Sequence, residues 1–290
     1  MTRKNKDALA AYLYILPSFL LICVFSIIPI FMAIYFSFTK YNVMQPPQWV
    51  GLGNYARMLS DGFVTAAITN TFWYTVVVVP VQTVLSMVLA AVLASQYQNR
   101  YGGFIKSSMF VPVISSSVLV GTLWLFLLMT DGGMINQIIG LFGIPAVNWM
   151  GRTQTALLGI CMASIWKNVG YYLVIFYAGI MDIPTSLYEA ARVDGASALQ
   201  QFSRITVPML KPITFLVVIL GTIWSFQVFD MVYTMTNGGP GRSTVTLVLV
   251  IYTSAFKEFN MGYASAVSLL LLVIILAISG AQRLIFRDQA

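Results

Sequence analysis

A series of apolar stretches, each long enough to cross a lipid bilayer as a helix, runs through the whole chain. About 20 mostly apolar residues span the ~30 Å of hydrocarbon in a bilayer. Charged residues make up 9% of the 290 residues, against about a quarter in soluble proteins. The sequence therefore predicts an all-α integral membrane protein with six transmembrane helices. We place them near Tyr12–Phe38, Thr71–Ser95, Lys106–Met129, Thr155–Gly179, Pro212–Tyr233 and Gly262–Phe286.

The distribution of basic residues predicts the orientation of these spans. Of the 16 Lys and Arg residues, ten lie in the termini and the alternate loops of one side, five lie in the loops of the other side, and Lys167 lies within a span. Because cytoplasmic loops are enriched in Lys and Arg, we expect both termini in the cytoplasm. The net charge of +7 then reflects membrane orientation, and we expect no nucleic-acid partner.

The predicted domain organisation is simple. Residues 1–11 form a cytoplasmic N-terminus, residues 12–286 form the six-helix domain, and residues 287–290 form a cytoplasmic C-terminus. The basic N-terminus followed by an apolar run resembles a secretory signal peptide. The run is too long, however, and no small-residue cleavage site follows it, so we expect an uncleaved first helix.

A polar segment, Met181–Pro212, separates the fourth and fifth predicted spans. Within it, Ser186–Glu189 has the spacing of a capping box, in which the serine and glutamate side chains satisfy each other's backbone amides. A helix is therefore predicted to begin at Leu187. It should end at Gly195, because glycine readily adopts the left-handed conformation that closes helices.

A second capping pattern follows at Ser197–Gln200. It predicts another short helix running toward Val207 and stopping before Pro208, since proline lacks an N–H and restricts the preceding residue. The segment is thus predicted to be a helix–turn–helix elbow, in the 182–211 loop on the cytoplasmic side.

The elbow resembles the EAA loop of the membrane subunits of binding-protein-dependent ABC importers. The family pattern is E-A-A, three residues, G, nine residues, then I-x-L-P. It stands here as Glu189–Ala191, Gly195 and Ile205–Pro208, with Val207 in the position of the leucine. The segments WVGLGNY, SIWKNVGYY, SFQVFDMVYTMTNGGPGRST and YASAVS resemble the carbohydrate-uptake branch, in particular the maltose and glycerol-3-phosphate type first permease subunit.

This resemblance implies a set of partners and sites. The chain would work in the inner membrane, among lipids, with a homologous second permease subunit, two ATP-binding subunits and an extracytoplasmic solute-binding protein. ATP and Mg²⁺ would be bound by the partner ATPase, with no cofactor on this chain. The ATPase-coupling residues would be Ser186, Tyr188, Glu189, Ala190, Ala191, Asp194 and Gly195. The binding protein would dock near Gly238, Gly239 and Pro240.

The residue inventory argues against an enzyme. The chain has no histidine, which removes histidine-based catalysis and histidine metal sites, and it has no GxxxxGK[ST] phosphate loop. We therefore expect no catalytic residue, no metal site and no ATP hydrolysis by this chain.

Polar residues at membrane depth indicate a solute path. Ser164, Lys167, Asn168 and Tyr171 fall at i, i+3, i+4 and i+7, on one face of the fourth span. A polar face of this kind suits a hydroxyl-rich solute. The alternative is that these groups, Lys167 included, bond one helix to another. The family resemblance favours the solute path.

The fifth span adds a second group of candidate path residues: Trp224, Ser225, Gln227 and Asp230. Amide, carboxylate and hydroxyl groups suit the hydroxyl rim of a sugar, and aromatic rings suit its C–H face. We therefore expect the permease subunit of an ABC importer for a di- or oligosaccharide. The alternatives are a permease for another solute, such as a glycerol phosphoester, a secondary transporter and, least favoured, a membrane enzyme.

The orientation leads to a labelling prediction. In a background without Cys23 and Cys161, a Gln200→Cys variant should resist a membrane-impermeant maleimide in intact cells and react after permeabilisation. An Arg152→Cys control, in a loop of the opposite side, should react in intact cells. Labelling of position 200 from outside would contradict the predicted orientation.

Overall fold

The structure is a computed structural model that describes residues 3–96 and 100–287, and its secondary structure is almost entirely helical. The α-helices are α1 (Arg3–Ile22), α2 (Ile28–Ser37), α3 (Gly53–Ser60), α4 (Gly62–Gln96), α5 (Arg100–Ile114), α6 (Ser117–Leu127), α7 (Met134–Gly140), α8 (Ala156–Met181), α9 (Thr185–Val193), α10 (Ala198–Gln201), α11 (Val207–Met209), α12 (Lys211–Phe226), α13 (Asp230–Met235), α14 (Leu247–Tyr252) and α15 (Met261–Arg287). The two strands are β1 (Thr39–Lys40) and β2 (Gln48–Trp49), which pair antiparallel. The predicted all-α membrane fold is confirmed.

Within residues 3–96 and 100–287, three short π-helical turns interrupt or extend these helices, at Cys23–Ile27, Phe202–Thr206 and Thr253–Lys257. Some predictions fall partly outside the described residues. These are the ends of the two predicted cytoplasmic termini and residues 97–99 of the predicted turn between the second and third spans.

Four helical segments are each long and apolar enough to cross a membrane: Tyr12–Ser37, Gly62–Gln96, Ala156–Met181 and Met261–Ile285. Two further candidates are bent pairs, α5 with α6 at 101° and the segment Ala198–Met209 with α12 at 69°. The described part of the chain therefore supplies four to six spans, and the count of six stays a prediction.

The predicted fifth span, Pro212–Tyr233, is wrong as one helix. Helix α12 ends at Phe226 and α13 begins at Asp230. The intervening turn is stabilised from a distant loop, because the Thr246 hydroxyl donates to the Val228 carbonyl at 3.1 Å. A backbone carbonyl that has such a partner can leave the helical ladder at low cost.

Contacts divide the chain into two compact units. The smaller unit comprises Met1–Asp61 and Val250–Leu272. In it, the Asn54 side-chain amide donates to the carbonyls of Ser37 and Thr39, at 2.8 and 2.9 Å, which fastens α3 to the start of the β1–β2 hairpin. The predicted external loop Asn42–Gly62 thus contains a strand and a helix, in line with the structured segment expected from its sequence.

The larger unit comprises Gly62–Leu249 and Val273–Ala290, and α8 lies at its centre, packed along α4. One apolar cluster surrounds Trp124 and Ile160, and another surrounds Tyr172, Phe176 and Val217. Helices α4 and α8 contribute to both clusters. Both helices also supply residues to the cavity described below.

The elbow lies in the larger unit, and the capping box predicted at Ser186–Glu189 is wrong. Helix α9 begins at Thr185, its N-cap is Pro184, and that end has no side-chain cap. The proline has φ −56° and ψ 124°, an extended conformation that lets the helix start directly after it. Ser186 is therefore already inside the first turn.

The turn of the elbow is confirmed. Gly195 has φ +77°, the Ala196 amide donates to the Ala191 carbonyl at 2.8 Å, and the Gly195 amide donates to the Arg192 carbonyl at 3.1 Å. This pair of bonds closes a helix through a left-handed residue. The helix itself ends at Val193, with Asp194 as its C-cap.

The second half of the elbow agrees with the prediction at its start and differs at its end. Ser197 and Gln200 form the predicted capping box. The helical structure does not end before Pro208 as predicted, however, because α11 includes Pro208 and ends at Met209. The π-helical turn Phe202–Thr206 precedes α11, so Pro208 falls in a first turn, where proline is tolerated.

Candidate functional site

A cavity of about 330 Å³ opens within the larger unit, a volume inside the usual range for small-molecule sites. It is enclosed by α4, α6, α8, α12 and the chain from α12 into α13. Its lining residues are Tyr74, Gln82, Ser117, Ser164, Lys167, Asn168, Tyr172, Gly221, Trp224, Ser225, Gln227, Val228, Phe229, Asp230 and Met231.

The structure brings nearly all predicted path residues together around this cavity. From α8 these are Ser164, Lys167 and Asn168, and from α12 and the turn after it they are Trp224, Ser225, Gln227 and Asp230. Tyr171 is the exception. Its ring packs against Trp224 and Tyr172, with centroids 5.2 and 5.4 Å apart, so it supports the wall instead of lining it.

Lys167 lines the cavity, but its ammonium group bonds helix to helix. Nζ donates to the carbonyls of Ser115, Val113 and Pro112, at 2.7, 3.1 and 3.3 Å. These carbonyls lie where α5 ends and the chain turns by 101° into α6, so the helical ladder does not supply all their partners. An ammonium has three N–H donors, and all three are used here.

The predictions missed several lining residues, above all Tyr74 and Gln82 on α4 and Tyr172 on α8. Each is almost fully buried, with exposed fractions of 3%, 1% and 0%. Gln82 carried a usable signal, because it is a lone amide inside a long apolar run. Polar groups at membrane depth usually face protein or a water-filled cavity.

The elbow presents a mixed surface. Ser186, Glu189, Ala190, Asp194 and Gly195 are exposed and Ala191 is half-buried. Apolar side chains are exposed beside them, Val193 at 88% and Leu199 at 75%.

Tyr188 differs from the other predicted coupling residues. It packs against the apolar cluster around Tyr172 and Phe176, and its hydroxyl forms a hydrogen bond with the Thr206 hydroxyl at 2.9 Å. This bond joins the two halves of the elbow. Tyr188 therefore holds the elbow together from its inner side.

The glycine-rich segment after α13 is held by side-chain hydrogen bonds. The Thr244 hydroxyl donates to the Gly239 carbonyl at 2.8 Å, and the Asn70 amide on α4 donates to the Arg242 carbonyl at 2.8 Å. Of the residues predicted to dock a binding protein, Gly239 and Pro240 are half-buried and Gly238 is buried. A partner at this segment therefore meets Gly239 and Pro240 before Gly238.

A metal site was not predicted, and the side chains give no positive indication of one. Across residues 3–96 and 100–287, His, Cys, Asp and Glu form no group of three that could hold an ion. Cys161 is buried and Cys23 half-buried, both as free thiols.

The chain is similar in sequence to known membrane proteins. Residues 50–289 match the family described as "Binding-protein-dependent transport system inner membrane component". The chain is 34% identical over 286 residues to the "Probable ABC transporter permease protein YurN" of Bacillus subtilis, covering 98% of both. It is 32% identical to the "Trehalose/maltose transport system permease protein MalF" of Thermococcus litoralis, covering 94% of this chain and 92% of the relative.

A solved structure shares the fold. A chain in the crystal structure of a bacterial alginate ABC transporter, in complex with alginate pentasaccharide-bound periplasmic protein, superposes with a TM-score of 0.86. The match covers 99% of this chain and 97% of that chain at 20% identity.

The contacts of Lys167 predict a stability effect. Lys167→Met should lower the thermal unfolding midpoint of the detergent-solubilised protein. The Pro112 carbonyl keeps its bond from the Ser115 amide, but the Val113 and Ser115 carbonyls lose the Lys167 donor, and a polar group left without a partner inside the protein costs about 1–3 kcal/mol. Lys167→Arg keeps N–H donors at this position, so its unfolding midpoint should fall much less. The midpoints are measured by intrinsic fluorescence. Equal midpoints for Lys167→Met and the unmodified protein would show that Lys167 does not hold the break between α5 and α6.

Proposed function

The chain belongs to the family of binding-protein-dependent transport system inner membrane components, and from this premise we propose that it forms the sugar path of an ABC importer. The observation that carries the proposal is the cavity, where residues from α4, α6, α8 and α12 meet. Of these helices, α4 and α8 are each long enough to cross a membrane, while α6 and α12 belong to the two bent pairs. Permeases of this family are transport subunits, so the cavity is a place of passage and not of chemistry.

The composition of the cavity wall supports a sugar as the solute. Asn168 and Gln227 offer amides, Ser225 offers a hydroxyl, and Trp224 and Phe229 offer aromatic faces. Amides and hydroxyls bond to sugar hydroxyl groups, while aromatic rings cover the apolar C–H face. The trehalose/maltose permease among the relatives supports the same solute class, a di- or oligosaccharide.

The proposed assembly places partners on both sides of the membrane. Both termini and the elbow face the cytoplasm, where two ATP-binding subunits, which bind ATP and Mg²⁺, contact the elbow. Its exposed Glu189, Val193 and Leu199 offer a charge and apolar surface for such a contact. A homologous second permease completes the path, and an external binding protein docks near Gly239 and Pro240.

The connection between elbow and cavity suggests how ATP hydrolysis drives transport. Helix α8 leads directly into the elbow, and α12 follows it. Both helices also line the cavity, through residues such as Asn168 and Ser225. Movement of the elbow by the ATP-binding subunits is thereby passed to two walls of the path. Sugar delivered by the binding protein enters on one side and leaves on the other.

The solute path is tested by transport. In proteoliposomes that hold the assembled importer and its binding protein, Asn168→Leu and Gln227→Leu should reduce ATP-dependent sugar uptake about tenfold, because a lost hydrogen bond strands polar groups. Gln45→Leu, the same change in an exposed loop, should leave uptake unchanged. Normal uptake in both cavity variants would contradict the proposed path.

Coupling is tested at Gly195. Space is not limiting there, since a Cβ would meet nothing within 4 Å, but φ is +77°. Gly195→Val should therefore lower sugar-stimulated ATP hydrolysis by the assembled complex several-fold, because a β-branched residue is strained in this conformation. Gly195→Asn should retain most of it, since asparagine tolerates left-handed backbone. Equal, full stimulation in both variants would mean that the turn does not take part in coupling.

A further inference from the structure

The innermost part of the cavity carries polar atoms that have no partner. Gln82, Ser164 and Tyr172 all line the cavity, and their exposed fractions are 1%, 2% and 0%. Among the described residues, Gln82 Oε1, Ser164 Oγ and the Tyr172 hydroxyl have no partner at good hydrogen-bond geometry, although the Tyr172 hydroxyl lies beside the Gln82 amide and Ser164 lies beside Tyr74. Buried polar groups in folded proteins are nearly always satisfied. Three such atoms in one cavity can therefore form hydrogen bonds with a solute that enters it.

The arrangement of these groups depends on a close approach between α4 and α12. A Cβ on Gly221 would lie 2.9 Å from Gln82 Nε2 and 3.5 Å from the Tyr172 hydroxyl. The absence of a side chain at Gly221 thus leaves the room in which the amide and the phenol lie side by side. The Tyr172 ring also packs near Trp224, at 6.1 Å between centroids.

We propose that Gln82, Ser164 and Tyr172 bind the hydroxyl groups of one uncharged end of the transported solute. This inference rests on the proposed function and narrows its substrate class. Gln82 Oε1 can only accept a hydrogen bond, while Ser164 and Tyr172 can donate as well as accept. A sugar hydroxyl both donates and accepts, so it satisfies all three.

An anionic group fits this place poorly. A carboxylate or phosphate oxygen only accepts hydrogen bonds, so it leaves Gln82 Oε1 without a donor. The anion would also need a compensating charge, because burying an unpaired charge is costly. Among the described lining residues Lys167 is the one cation, and its three N–H groups already bond to carbonyls. Asp230 in the same wall adds a like charge.

The first part of the test identifies the charge of the solute. The reconstituted importer is supplied with cellobiose, sucrose and raffinose as neutral probes and digalacturonate as an acidic probe, and ATP-dependent uptake is measured. Uptake of a neutral probe with exclusion of digalacturonate is expected. Equal uptake of digalacturonate would overturn the uncharged end while leaving sugar import intact. If no probe is imported, the proposed function falls and this inference falls with it.

The second part identifies the contacts. Tyr172→Phe and Gln82→Leu should each lower the maximal uptake rate of the imported probe about tenfold, with its affinity for the binding protein unchanged. Tyr177→Phe is the matched control, since Tyr177 lies on the same helix, outside the cavity, with its ring against Lys106. Unchanged uptake in both cavity variants would overturn the proposal.

Monodeoxy analogues of the imported probe separate solute binding from a structural role. Removing the sugar hydroxyl that meets Tyr172 should slow uptake by the unmodified importer and have little further effect on Tyr172→Phe, the coupling expected of a direct contact. If every deoxy analogue loses the same factor in both proteins, the buried groups bind only water and the inference is wrong.

Discussion

A polar backbone group inside a membrane needs a partner within the protein, and this requirement governs the irregular parts of the fold. The clearest case is the break between α5 and α6, where the ammonium group of Lys167 donates to the carbonyls of Pro112, Val113 and Ser115. Thr246 does the same for the turn after α12. Because side chains supply these bonds, the chain can bend beside the cavity, and lining residues from several elements can converge.

The elbow shows how far local sequence rules reach. Gly195 and the Ser197–Gln200 capping box were predicted because each depends only on the residues beside it. Ser186 was misassigned because Pro184, two positions earlier, already fixes the start of the helix. The continuation through Pro208 was missed because it depends on a π-helical turn, which leaves no pattern in the sequence.

The sequence predicted most of the cavity-lining residues of two helices, α8 and α12, but not those of α4 and α6. One-sided polarity on α8 and the polar residues around the end of α12 identified most of the wall. Helix α4 shows no polar face, so the amide of Gln82 was overlooked although it stands out from the apolar run around it. The neighbours of the Tyr172 ring depend on packing between helices distant in sequence. Tyr171 lies on the predicted face, but its ring is taken up by Trp224. The spacing of residues along one helix predicts which face a side chain lies on. It does not predict which side chains of other helices pack against that face.

Because α8 is one unbroken helix, a small tilt at one end becomes a larger displacement at the other. From Ser164 in the cavity wall to Met181 at the elbow, the helix runs for about 26 Å at roughly 1.5 Å per residue. A tilt of about 10° about one end of such a rod moves the other end by about 4 Å. The cavity has a volume of about 330 Å³, within the range of small-molecule sites, and a cube of that volume has an edge of about 7 Å. A small tilt of α8 at the elbow therefore displaces the cavity wall by a distance comparable to the width of the cavity. The size of that displacement is set by the length of the helix.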